Sequence, residues 1–68
     1  MTQKQLILEY LQTNGSITPR DAMEQFGCMR LGARIYDLKR EGHDIRKAME
    51  ARPNRFGVET HYARYFIP

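Results

Sequence analysis

Tryptophan is missing from this chain and cysteine occurs once, at Cys28. A lone thiol cannot close an internal disulfide, so the fold has to stand without a covalent staple, as suits a reducing cytoplasm. Histidine is nearly as scarce. His43 and His61 lie far apart, with no cysteine or carboxylate at ligand spacing to either, which argues against a metal centre. No apolar run approaches the roughly 18 residues of a membrane span. The first ten residues, MTQKQLILEY, have neither the apolar centre nor the small-residue cleavage site of an export leader. Glycine and proline are sparse, five and three, and no glycines cluster into a phosphate-cradling loop or a nucleophile elbow. Neither catalysis nor a cofactor is expected.

What remains is a small, mildly basic protein. Its 68 residues make one domain, which at this size buries only about 60% of the surface its unfolded chain exposes. Hydrophobic residues at 41% and charged residues at 28% suffice for one core under an ordinary surface. The net charge of +3 is less informative than its distribution. Residues 1–27 carry Lys4 and Arg20 against Glu9, Asp21 and Glu24. Residues 28–56 carry Arg30, Arg34, Lys39, Arg40, Arg46, Lys47, Arg52 and Arg55 against Asp37, Glu41, Asp44 and Glu50. In the last twelve residues Arg64 balances Glu59. Positive charge gathered in one stretch is the footprint of a polyanion binder.

Local signals divide the chain into three helices. Thr2 and Gln5 form a capping box for a first helix reaching about residue 13, with Leu6, Ile7, Tyr10 and Leu11 on one face. Asn14-Gly15 ends it, and Ser16-Ile17 reads as a short extended bridge, one rung of a sheet. Thr18 caps the second helix, Pro19 occupies its first position without losing a hydrogen bond, and Asp21 complements its dipole. Ala22, Met23 and Phe26 form the expected buried face, and Gly27 is the stop. A third helix is expected over residues 29–41, closed by Gly42. Leu31, Ile35 and Leu38 must face the core, with Met29, Ala33, Tyr36 and Arg40 opposite and Arg30, Arg34, Asp37 and Glu41 along one flank. Gly32 and Ala33 would let the outer surface approach a partner closely.

After Gly42 helical periodicity fades. Residues 58–67 are rich in β-branched and aromatic side chains, and residues 44–50 supply a partner strand. Residues 51–57, with Pro53, Asn54 and Gly57, read as the hairpin tip. Three helices followed by a two-stranded antiparallel hairpin make an α+β winged helix-turn-helix, with the hairpin as the wing and Ser16-Ile17 as a short third strand.

The run GSITPRDAMEQFGCMRLGARIYDLKREGHDI, with the later HYARY, resembles a family of small helix-turn-helix proteins from bacteriophages and prophages. The resemblance covers nearly the whole chain. It is most specific at Ile17–Pro19, Gly27, Arg30-Leu31, Arg34-Ile35, Asp37-Leu38 and Gly42. It implies a winged-helix fold and DNA binding inside the bacterial cell, at the nucleoid, without naming a target site.

Double-stranded DNA is therefore the expected partner, with the third helix in the major groove. Arg30 is the first choice for a base contact, since arginine can grip guanine O6 and N7 with two hydrogen bonds. Arg34 is a second, although Asp37 three residues on can hold it in an intrahelical pair. Met29 and Ala33 share the outer surface. Tyr36 suits a phosphate or the underside of the wing, and Arg40 a phosphate. Arg46 and Lys47 on the wing's first arm, and Arg52 and Arg55 at its tip, would reach phosphates or the minor groove. Thr18 is a candidate through the free amides of the helix it caps. One short recognition unit calls for a homodimer or cooperative neighbours on DNA. The competing expectation is a winged-helix module that binds and modulates a host protein. The mild net charge of +3 and the four acidic residues within 28–56 keep that alternative open beside DNA binding.

Overall fold

A computed structural model describes residues 2–68 of the chain, and Met1 lies outside them. Its elements in order are α1 (Gln3–Asn14), β1 (Ser16–Ile17), α2 (Pro19–Phe26), α3 (Leu31–Arg40), β2 (Arg46–Pro53) and β3 (Glu59–Phe66). The three strands form one antiparallel sheet in the order β1-β3-β2. The expected rung is present, with Ser16 opposite Phe66 and Ile17 opposite Tyr65.

The predicted capping box at α1 forms, and a second one appears at α2. The Thr2 hydroxyl accepts the Gln5 amide while the Gln5 side chain accepts the Thr2 amide. Thr18 and Asp21 repeat the exchange at α2. The core is a single cluster of Ile7, Leu11, Ile17, Ala22, Cys28, Leu31, Ile35, Leu38 and Ile45, against which Leu8, Tyr10, Phe26, Tyr65 and Ile67 pack. Leu31, Ile35 and Leu38 face inward as their spacing requires. Lys4 near the start of α1 pairs with Glu41 at the end of α3, tying the two helices together.

Three expectations need correction. Met23 is 46% exposed instead of buried: α2 is too short to bury three positions and turns Ala22 and Phe26 inward. Phe26 meets Tyr10 edge-on at 5.8 Å. The third helix begins at Leu31, not at Met29. Gly27, at φ 63°, reverses the chain, and the Cys28 amide donates back to the Ala22 carbonyl. That reversal drops Cys28 into the core, so Met29 and Arg30 must bridge outward before the helix can start. Cys28 is thus a core residue.

The hairpin is longer than expected. Pairing runs from Arg46 opposite Phe66 to Pro53 opposite Glu59, which leaves only residues 54–58 as the turn. Pro53 does not interrupt the ladder. The Asn54 amide donates to the Val58 carbonyl at 2.8 Å, so alternation makes Pro53–Glu59 a pair without mutual hydrogen bonds, and the missing N–H is on the open edge.

Candidate nucleic-acid interface

The loop before α3 and the outer face of that helix form an exposed surface. Met29 is 83% exposed and Tyr36 61%, which removes the alternative of Tyr36 packed beneath the wing. Arg40 lies over the Tyr36 ring, 5.8 Å from its centroid. The stack fixes a cation beside a hydroxyl, a combination suited to a phosphate. Ala33 is half-buried.

Arg30 occupies the N-cap position of α3 (φ −126°, ψ 56°), and its side chain, which has no acceptor for the free amides, makes no capping hydrogen bond. It is exposed, and among the described residues it forms no ion pair. Its carbonyl accepts the Ala33 amide at 3.1 Å, so the backbone is held while the guanidinium is free. Arg34 differs. Its Nη2 lies 3.3 Å from Asp37 Oδ2, the i, i+3 pair expected from spacing. Its Nε is sealed from solvent without a hydrogen-bond partner among the described residues. Arg34 is half-buried and held on its own helix, whereas Arg30 is exposed in the turn before it.

Gly32 is exposed, at the edge of the outer surface that adjoins the sheet. A Cβ built on it would meet the Tyr65 hydroxyl at 3.5 Å, so it lies on the flank toward the sheet. The same contact identifies which face of the wing looks toward α3. Because side chains alternate along a strand, the face bearing Tyr65 also bears Ala63 and His61, with Lys47, Met49 and Ala51 opposite them on β2. Arg46 and Arg52 fall on the reverse face, beside Arg64 and Thr60. The wing's cations are thereby split. Lys47 points to the α3 side, Arg46 lies 3.6 Å from Asp44 on the other, Arg52 sits within β2, and Arg55 alone occupies the turn.

The reverse face borders a groove of about 650 Å³, bounded by the start of α2 and by Arg52, Arg55, Tyr62 and Arg64. Thr18 lines it but is buried, and both its amide and its hydroxyl are engaged with Asp21 at 3.0 and 3.2 Å. Arg20 in the same groove is bonded to Glu24 at 2.9 Å, which raises its pKa above the ordinary arginine value.

Arg64 is the polar residue that sequence reasoning missed. Its Nε donates to Glu50 Oε1 at 2.9 Å and its Nη1 to Ser16 Oγ at 3.0 Å, so one side chain on β3 joins all three strands. The Arg64 hydrogen bond, with Tyr62 adding to it, holds the Glu50 carboxyl below the ordinary carboxylate range. Glu50 in turn raises Arg64. Nothing local in the sequence signals this pair, because Glu50 and Arg64 become neighbours only through the strand register.

Two helices joined by a tight turn, then a basic hairpin hung on the same sheet, is also what comparison with known families finds. The model of the winged helix-turn-helix domain matches residues 2–68. The chain belongs to that family. No curated protein matches it. In this winged helix-turn-helix domain α2 and α3 are the helix-turn-helix and β2–β3 form the wing. Domains of this build suit duplex DNA, into whose major groove one α-helix fits. No helix of the described residues is long and apolar enough to cross a membrane, and no His, Cys, Asp or Glu cluster among them is arranged to hold a metal.

Proposed function

We propose that this winged helix-turn-helix domain binds double-stranded DNA as a small regulator of the bacteriophage or prophage type, acting by binding alone at the bacterial nucleoid. It lays the outer face of α3 in the major groove and runs its wing along the adjacent backbone or minor groove. The observation that carries this reading is the surface formed by Met29, Arg30, Tyr36 and Arg40. It is exposed, it begins at a guanidinium with no ion-pair partner among the described residues, and it runs from the turn before α3 onto the outer face of the second helix of the helix-turn-helix.

On this reading Arg30 reads a base, while Arg34, tied to Asp37, supports the helix and contacts DNA only at its edge. Tyr36 and Arg40 hold a phosphate, and Lys47, Arg52 and Arg55 neutralise others along the wing. Arg46 and Thr18, each engaged inside the domain, are secondary. One recognition helix covers few base pairs, so binding as a homodimer or with cooperative neighbours is part of the proposal.

Fluorescence anisotropy with labelled duplexes over a salt series tests it. Affinity is expected to fall steeply as salt rises, and Arg40→Ala to reduce the logarithmic slope by about one. On a site obtained by selection from random duplexes, Arg30→Ala should cost about 1–3 kcal/mol of preference at one base pair. A loss spread evenly over all sequences would make Arg30 a phosphate contact. Absence of duplex binding at low salt, with one host protein recovered from lysate, would replace DNA binding with the protein-interaction reading.

A further inference from the structure

The wing ends in a side chain the fold does not use. Phe56 is 75% exposed, with Val58 near it at 59%. Its ring is faced by the Arg55 guanidinium, 5.0 Å from the centroid, and it is no part of the core cluster. Burying an aromatic ring is one of the larger gains open to a small domain, yet here the ring is carried to the far end of an extended hairpin.

The turn that carries it is built to hold its shape. Asn54 Oδ1 accepts the amides of Phe56 at 2.9 Å and Val58 at 3.1 Å. The Gly57 amide closes back on the Asn54 carbonyl at 3.0 Å, in a left-handed conformation (φ 77°) that favours glycine. A preorganised turn presents its tip at little ordering cost on binding. The charges around it are one-sided. Across residues 51–60 Arg52 and Arg55 stand against the single carboxylate of Glu59, and neither arginine forms an ion pair among the described residues.

An apolar ring faced by the Arg55 guanidinium, with Arg52 on the adjoining strand, is complementary to a surface that is anionic at its rims and apolar within. The minor groove of duplex DNA has that character, with phosphates along both edges and stacked bases inside. We propose that Phe56 is a wedge. On binding, the wing tip enters the minor groove, Arg55 and Arg52 neutralise flanking phosphates, and the Phe56 ring enters a base step, unstacks it and kinks the duplex. Apolar side chains inserted in this way bend DNA toward the major groove, and pyrimidine–purine steps yield most easily. The protein is then a DNA-bending factor as well as a reader. This inference rests on duplex binding as proposed above.

The test uses a 30-bp duplex rich in T–A steps, with 2-aminopurine replacing one adenine, and the same duplex carrying a dye at each end for energy transfer, both at low salt. The wild-type chain is expected to raise 2-aminopurine fluorescence several-fold and to bring the ends closer. Phe56→Ala, with an unchanged thermal melt, should still bind, at about three- to tenfold lower affinity, with the same salt slope and neither signal. If Phe56→Ala unstacks and bends the duplex as the wild type does, the wedge is refuted while DNA binding stands. If the wild-type chain does not bind the duplex at all, both fall together.

Discussion

Arg30 and Arg34 are one helical turn apart and chemically identical, yet the fold gives them different freedom. Position decides this. Arg30 caps a helix that starts later than its pattern suggests and so stays exposed, whereas Arg34 is half-buried within reach of Asp37. The pairing of Arg34 was legible from an i, i+3 spacing; the late helix start was not, because it follows from Cys28 entering the core. Gly32 was legible only in part. Its helix cost of about 1 kcal/mol relative to alanine marks it as unusual, but not which surface it serves. A Cβ there would make an ordinary contact with the Tyr65 hydroxyl, so Gly32→Ala is expected to stabilise the domain by about 0.5–1 kcal/mol. Calorimetry should show the melting temperature rising by several degrees. A fall would mean that Tyr65 cannot yield.

At the scale of elements, boundaries set by local chemistry were readable and those set by pairing were not. The caps at Thr2 and Thr18 and the stop at Gly27 act within a few residues, so α1 and α2 lie where the residues place them. The end of the wing depends on which edge of β2 is open, which the chain does not announce, and β2 therefore continues through Arg52 and Pro53. The same register creates the Glu50–Arg64–Ser16 connection across the sheet. Since the folded Glu50 carboxyl titrates below its ordinary value of 4.5, its contribution is present above that pH and is lost as pH falls through the lower, folded value. Urea titrations at descending pH should show this loss in the wild type. Glu50→Gln should be less stable near neutrality and should lack that part of the acid dependence. Identical pH profiles would mean that solvent screens the pair completely.

For the whole molecule the margin is small. A domain of this length is expected to hold on the order of 3–10 kcal/mol of stability, carried by one core without a disulfide. Ile35 is 2% exposed in the centre of that core, and Ile35→Ala should remove about 2–5 kcal/mol. Circular dichroism in urea should then find the variant largely unfolded or its midpoint sharply lowered; a variant as stable as the wild type would mean that the inward face of α3 is misassigned. Read alone, the chain specifies three helices and a hairpin, the inward face of the third helix, and a basic second half, because capping, turn preference and helical spacing operate over four or five residues. Only the tertiary structure decides which arginine is free, which face of the wing looks toward α3, and that Arg64 joins the strands. Each of those depends on residues far apart in the chain meeting through one packed core and one strand register.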